Sequence, residues 1–172
     1  KSDVEPSRET ERAEARQPAP KNPDRLNAIP DYAEIRDEYE ARVKKAEEEF
    51  ERKKAELAAK YLDGLNRYFI AYRNQGAFDA AVAIRDEIER FTREQAWPEN
   101  VNETLPPEVT SIQVQAGKYM VLYEMARDEE VDKAKEEFAE KLLLLVKRFT
   151  RAGKMEEAVL IREVRNKLLF GP

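Results

Sequence analysis

The sequence predicts an all-α protein made of two tandem long-short antiparallel helical hairpins. A segment that begins at Gly76 returns 77 positions later at Gly153, with a similar pattern of small, aliphatic and charged residues. Two long stretches that precede these glycines contain no proline, and their apolar residues recur at helical spacing. One helical pair cannot bury its apolar face alone, so a repeated pair is typical of a scaffold. We therefore expect an elongated four-helix arrangement with an extended proline-rich N-terminal arm.

The composition removes several classes of chemistry. The 172 residues include no Cys and no His, which excludes thiol nucleophiles, histidine bases and Cys/His zinc sites. Net charge is −5, and the lysines of the long helices alternate with acids, whereas a nucleic-acid surface needs unopposed cations. The longest apolar run, residues 142–146, is far too short to span a membrane. We expect no enzyme activity, cofactor, metal site, nucleic-acid partner or membrane insertion.

Residues 1–30 form the predicted arm. The segment is polar and carries almost no large apolar side chain, so alone it cannot offset the entropy lost on ordering. If it is ordered, either the body of this chain or a neighbouring chain holds it. Its prolines are Pro6, Pro18, Pro20, Pro23 and Pro30.

Residues 31–96 form the predicted first hairpin. Asp31 suits an N-cap, with Glu34 in the position of a capping box. The helix that follows has apolar rows with an 11-residue period, which keeps a stripe nearly straight along the helix. Gly76 suits the left-handed C′ position, and a shorter helix from Phe78 to Gln95 folds back antiparallel. The rows are Tyr39, Phe50, Tyr61 and Tyr72, then Ala46, Leu57 and Tyr68, then Val43 and Leu65; the short helix presents Phe78, Ala81, Ile84, Ile88 and Phe91.

Residues 97–112 form a proline-rich connector, and residues 113–172 form the predicted second hairpin. Shifted by 77 positions, its long helix repeats the rows of the first. Gly153 marks its turn, and Met155 to Phe170 forms its returning helix. The rows are Met120, Val131 and Leu142, then Tyr123, Ala134 and Leu145, then Phe138 and Phe149.

The turn and short helix resemble half of a tetratricopeptide repeat. Residues 75–81 read Gln-Gly-Ala-Phe-Asp-Ala-Ala, and residues 152–158 give a looser second instance. The resemblance implies a monomeric adapter that binds a peptide segment of a partner protein in a groove between hairpins. The long hairpins are also similar in style to those of exported bacterial proteins of unknown function. Together with the lack of Cys, this favours a periplasmic or extracellular location.

Arg85 and Arg162 occupy equivalent places, each between an isoleucine and an acid. One interpretation is a charged hot spot or anion contact inside each hairpin. The other is a structural arginine whose stem covers apolar surface while its head reaches a carboxylate on the long helix. The structural interpretation is the one we expect in both hairpins, alongside the turn glycines Gly76 and Gly153.

The start of the first long helix carries the strongest sequence indication of a partner. Tyr32, Ile35 and Tyr39 extend beyond the reach of the short helix that folds back from Gly76. The second hairpin, the arm or another subunit must cover them, and with Trp97 they are our candidate interface residues. The leading hypothesis is a structural assembly subunit, either a homo-oligomer or part of a multi-subunit assembly. The alternatives are the adapter and a ligand-binding or sensing bundle.

Overall fold

The computed structural model describes residues 22–97 and 102–171 of the chain. Within these ranges the chain is all-α, with five helices and no strand. The helices are α1 (Asn22–Asn27), α2 (Pro30–Asn74), α3 (Phe78–Glu94), α4 (Pro107–Arg151) and α5 (Met155–Phe170).

The two long helices have the same length and follow the spacing of the sequence pattern. Both α2 and α4 contain 45 residues, and each begins with a proline, which the first turn of a helix tolerates. Both end in a turn that contains a left-handed glycine. Gly76 has φ +70° and Gly153 has φ +74°, as the predicted C′ positions require. In each turn the next amide donates a hydrogen bond to a carbonyl of the last helical turn, from Ala77 to Tyr72 and from Lys154 to Phe149.

Three predicted boundaries differ from the structure. Residues 1–21 of the predicted arm lie outside the described residues, whereas residues 22–27 are helical instead of extended. Helix α2 begins at Pro30, where the Ile29 carbonyl accepts the first helical hydrogen bond from Ala33, so Asp31 lies inside the helix and the predicted capping box does not form. Helix α4 begins at Pro107 instead of residue 113, because proline opens a helix here instead of breaking it.

Contacts divide the described chain into two compact units, and α2 and α4 each contribute to both. The larger unit, residues 37–138, contains most of α2, all of α3 and the first part of α4. Here α2 and α4 run antiparallel. Tyr39 near the start of α2 stacks on Phe138 toward the end of α4, whereas the Tyr72 hydroxyl near the end of α2 donates a hydrogen bond to the Glu108 carboxylate at the start of α4. Phe50, Tyr61 and Leu65 of the predicted rows are buried in the core of this unit. Near the two ends of the connector, Trp97 packs against this core and Leu105 is buried in it. The buried residues include Phe50, Leu57, Tyr61, Leu65, Ile84, Phe91, Leu105, Val109 and Met120.

The smaller unit contains residues 22–36 and 139–171 of the described chain. It packs α1 and the start of α2 with the end of α4 and α5. Arg25 of α1 pairs with Glu156 of α5 at 2.5 Å, and the Arg165 Nε donates to the Ala139 carbonyl at 3.2 Å. Its buried apolar residues include Ile29, Tyr32, Leu142, Leu145, Phe149, Ala158, Leu160 and Ile161.

Candidate interaction surface

Helix α4 is apolar on two opposite faces in the larger unit. One face packs into the core through Val109, Ala116 and Met120, which are all buried. A single amphipathic helix on the surface of a domain needs only one such face. The second face therefore calls for its own explanation.

The second face carries an exposed apolar stripe near the middle of α4. Val121, Leu122 and Met125 are 54 %, 56 % and 62 % exposed, and Val114 lies on the same side about two to three turns earlier. Large apolar side chains that cluster on one helix face, rather than lie singly, are typical of a protein–protein contact. We name this set the α4 stripe: Val114, Val121, Leu122 and Met125.

One charged residue lies within the α4 stripe and two follow it. Lys118 lies between Val114 and Val121, whereas Asp128 and Asp132 follow Met125 along the same face. Asp128 accepts a hydrogen bond from the Arg127 guanidinium at 2.7 Å, and the Arg127 guanidinium in turn lies 4.6 Å from the ring centroid of Phe50. The face thus changes along the helix from apolar with one cation to acidic.

A second exposed apolar feature is a groove in the smaller unit. It has a volume of about 320 Å³, and its apolar lining includes Ile35, Leu144 and Leu145. Leu144 is 64 % exposed, and the ion pair of Asp31 with Arg148 lies at the rim. The groove is open and shallow in character, so it suits a protruding side chain better than an enclosed small molecule.

A buried polar cluster joins three helices in the larger unit. The Tyr61 hydroxyl of α2 donates to the Glu87 carboxylate of α3 at 2.8 Å, and the Gln113 Nε2 of α4 lies 3.4 Å from both. The Arg90 guanidinium donates two hydrogen bonds of 2.8 Å to Glu87. Every polar atom of this buried group has a partner, as a polar network inside a core requires.

The same cluster holds the connector at both of its described ends. Arg90 donates to the Ala96 carbonyl at 3.1 Å, and the Asn102 amide donates to the Gln113 Oε1 at 3.2 Å. The Trp97 ring lies 5.3 Å from Tyr61 and 4.8 Å from Phe91, between centroids. The cluster therefore binds the chain at Ala96 and at Asn102, between α3 and α4.

The protonation states of the cluster suit a structural role. Burial raises the pKa of Glu87, but hydrogen bonds from Arg90, Tyr61 and Gln113 and the charge of Arg90 outweigh it, so the net pKa lies below its ordinary value. Burial and the Glu87 carboxylate raise the pKa of Tyr61. At neutral pH the carboxylate is thus charged and fully engaged by its donors, which leaves it poorly suited to accept a proton from a substrate.

The structure gives the predicted interface residues neighbours in their own units. Tyr32 is buried in the smaller unit, and Ile35 lines the groove there. Tyr39 stacks on Phe138 with 4.7 Å between ring centroids and 5° between planes, while Trp97 packs against the core of the larger unit. The second long helix supplies one of the covers that the sequence left open for Tyr39. Their role in binding a partner stays a prediction.

The predicted structural residues divide into glycines and arginines. Gly76 and Gly153 occupy left-handed turns as expected. The expected contact of Arg85 with a carboxylate on the long helix is wrong, because the Arg85 guanidinium pairs with Asp86 at 2.8 Å and Glu89 at 3.7 Å on its own helix. Arg162 is exposed as well. The Arg85 guanidinium therefore takes its carboxylate partners from its own helix α3.

Two features of the site were missed by the sequence interpretation. The α4 stripe had a signal, because its residues Val114, Val121 and Met125 lie in one helical seam. Together with the charged residues Lys118, Asp128 and Asp132, they follow alternating steps of four and three residues. The sequence prediction used only the 11-residue rows, which describe the buried face of α4. Glu87 had no local signal, since only its tertiary neighbours distinguish it from an exposed helical acid.

Comparison of the chain with protein-family models, with curated proteins and with solved structures gave no match. In residues 22–97 and 102–171, no three His, Cys, Asp or Glu side chains are placed to hold a metal ion. No helix in this part of the chain combines the length and apolar character that crossing a membrane requires. An interpretation of function must therefore rest on the surfaces of the chain itself.

Proposed function

We propose that this chain is a non-enzymatic structural subunit that assembles with protein partners through the exposed face of α4. The observation that carries the proposal is the α4 stripe. Its side chains lie on the side of the helix that the core does not use, and at least three of them expose more than half of their surface. Burying the exposed half of such a side chain yields roughly 1 kcal/mol, and burial of several apolar side chains is a usual source of affinity in helix–helix contacts.

The stripe also favours assembly by a coiled-coil contact over a contact through a pocket. Val114, Val121 and Met125 are seven and four residues apart, which places them in one seam along the helix, and helices pair along seams of this kind. The resulting surface is long and convex, so it fits another helix. An exported location and a contribution of residues 1–30 remain predictions from the sequence, and the experiment below tests the second of these.

The test is light scattering coupled to size-exclusion chromatography over a concentration series. The whole chain is compared with a version lacking residues 1–21, which leaves α1 and its Arg25–Glu156 ion pair in place. Met125→Glu puts a charge in the stripe, and Phe170→Glu puts the same charge on another exposed apolar residue, which is 80 % exposed on α5. Concentration-dependent oligomers that Met125→Glu removes and Phe170→Glu leaves intact support the proposal. A monomer at every concentration contradicts it.

Loss of oligomers in the shortened chain would add the arm to the assembly surface. Oligomers that persist in it would limit the contact to the helices. Either result leaves the role of the α4 stripe to be decided by Met125→Glu.

The groove of the smaller unit favours a second candidate, the peptide-binding adapter that the tetratricopeptide resemblance implies. Its apolar lining of Ile35, Leu144 and Leu145, with the charges of Asp31 and Arg148 at the rim, suits an apolar side chain on a polar peptide. Selection of displayed peptides on the whole chain, with counter-selection on Leu144→Glu, tests this function. Enriched peptides that require Leu144 support it, and a failure to enrich any contradicts it.

A further inference from the structure

The geometry points to a second copy of this chain as the partner of the α4 stripe, with the two α4 helices antiparallel and crossing near residue 123. This inference rests on the proposed function and names its partner. It follows from the order of residues along one face of a single helix, and all of these residues belong to the larger unit.

The seam of the exposed face is symmetric about position 123. Val121 and Met125 lie two residues on either side of it, and Lys118 and Asp128 lie five residues on either side. Val114 and Asp132 are the next pair outward. A two-fold axis at this level therefore places Val121 of each copy against Met125 of the other, and Lys118 of each copy against Asp128 of the other. A coiled-coil seam has two kinds of position that alternate along each helix. In an antiparallel pair, each position of one kind faces a position of the other kind on the partner helix.

Charge selects the antiparallel arrangement over the parallel one. In a parallel pair, Lys118 would face Lys118 and Asp128 would face Asp128, and like charges in a seam weaken association. In the antiparallel pair, each lysine meets an acid at both ends of the apolar layer. Lys118 and Asp128 are exposed. The Arg127 guanidinium binds Asp128 through Oδ1, and the second carboxylate oxygen of Asp128 can accept from Lys118 of the other copy.

The self-complementary charges also argue for a second copy rather than another protein. A surface evolved for a different partner needs no internal symmetry, whereas a two-fold contact uses one patch twice and must be complementary to itself. Leu122 lies beside the seam and would pack against the side of the partner helix. The residues that border the buried face, such as Arg127 above Phe50, keep their present contacts.

Single cysteines test the geometry, because the chain has none of its own. Lys118→Cys and Asp128→Cys are made separately, equilibrated in a thiol–disulfide buffer alone and as an equal mixture, and resolved by non-reducing electrophoresis. Both variants keep Val121, Leu122 and Met125 intact. The mixture should give about tenfold more covalent dimer than either variant alone, since only the mixture sets the two thiols opposite each other. Asp128→Cys mixed with Lys60→Cys, an exposed site on α2, is the matched control and should give no excess.

Charge reversal gives an independent readout. Lys118→Glu and Asp128→Lys each place like charges opposite one another, so each should raise the dissociation constant of the pair about tenfold. Mixing the two variants should restore association, because the mixed pair has opposite charges at both ends. Association that is unchanged in both single variants would overturn the antiparallel register.

The outcomes separate this inference from the proposed function. Covalent dimers from each single variant as readily as from the mixture would overturn the antiparallel pair. If Met125→Glu still removes the oligomers in that case, the proposed function stands without this inference. A chain that stays monomeric in light scattering overturns both.

Discussion

The Tyr61 hydroxyl on α2 donates a hydrogen bond of 2.8 Å to the Glu87 carboxylate on α3, inside the core of the larger unit. Glu87 is 3 % exposed and is one of two buried polar or charged residues among those that the structure describes. At the equivalent positions 77 residues later the chain has Phe138 and Val164, so the polar contact belongs to one hairpin only. The two helical pairs thus share a sequence pattern, but only the first has a buried hydrogen bond between its long and short helices at these positions.

Replacing Tyr61 by phenylalanine should destabilise the chain by about 1–2 kcal/mol. The ring keeps its contacts with Phe91 and Trp97, but the Glu87 carboxylate loses one donor while it stays buried. Urea denaturation followed by circular dichroism measures the change. Tyr119→Phe removes a hydroxyl from a half-exposed tyrosine of α4 and should change the free energy of unfolding by less than about 0.5 kcal/mol. Equal effects for the two variants would show that the Tyr61 hydrogen bond contributes nothing to stability.

Glu87→Gln should lower the free energy of unfolding at neutral pH, and the loss should be smaller at acidic pH. The variant loses the charge that Arg90 engages, which costs about 1.5–3 kcal/mol at pH 7. The folded pKa of Glu87 lies below the unfolded value near 4.5, so the unfolded state binds the proton more readily. The stabilisation is therefore present above pH 4.5 and is lost as pH falls through the folded pKa.

Denaturation of both proteins across the range from pH 7 to pH 3 measures this linkage. The difference between wild type and Glu87→Gln should shrink as the pH falls. Glu129→Gln is the control, since Glu129 lies on the surface beside Lys133, and its substitution should have little effect at any pH. A difference for Glu87→Gln that is constant over the range would contradict a charged, hydrogen-bonded Glu87.

The turns at Gly76 and Gly153 and several buried rows could be predicted because both depend on local sequence pattern. Phe50, Tyr61 and Leu65 recur at positions that a helix brings to one side, and the core forms on that side. Phe78 shows where residue type misled the prediction. It was expected to be an anchor, yet it is 76 % exposed, because it lies about 100° around α3 from the stripe that includes Ala81, Ile84 and Phe91.

The polar cluster and the α4 stripe could not be predicted in the same way. Glu87 lies 26 residues from Tyr61 along the chain and also 26 residues from Gln113, so only the packing of three helices brings the groups together. On α4, two apolar patterns of different period overlap on opposite faces of one helix. The sequence contains both, but the packing partner decides which one becomes the core.

Phe138→Ala should destabilise the chain by about 3–5 kcal/mol. Phe138 is buried and stacks on Tyr39, so its removal leaves a cavity between α2 and α4. Thermal and urea denaturation measure the loss. Phe170→Ala makes the same truncation at a residue that is mostly exposed, and it should change the stability by less than about 0.5 kcal/mol. A loss below about 1 kcal/mol for Phe138→Ala would show that this row does not form the core.

Two glycine-to-alanine substitutions should act in opposite directions. Gly76 has φ +70° in the turn between α2 and α3, a conformation that costs alanine about 1–2 kcal/mol. Gly117 lies inside α4, and apart from its chain neighbours and the nearby backbone of α4 no atom lies within 4 Å of the position that an added Cβ would take. Alanine at this position should stabilise the helix by up to about 1 kcal/mol through its better propensity.

The pair is compared by urea denaturation under one set of conditions, so that each variant is the control of the other. Gly76→Ala should lower the midpoint concentration of urea and Gly117→Ala should raise it, with the slope of the transition unchanged in both. If Gly76→Ala left the midpoint unchanged, the turn would not require a left-handed residue. The link between Gly76 and the reversal of the chain into α3 would then have to lie in the backbone hydrogen bond from Ala77 to Tyr72 alone.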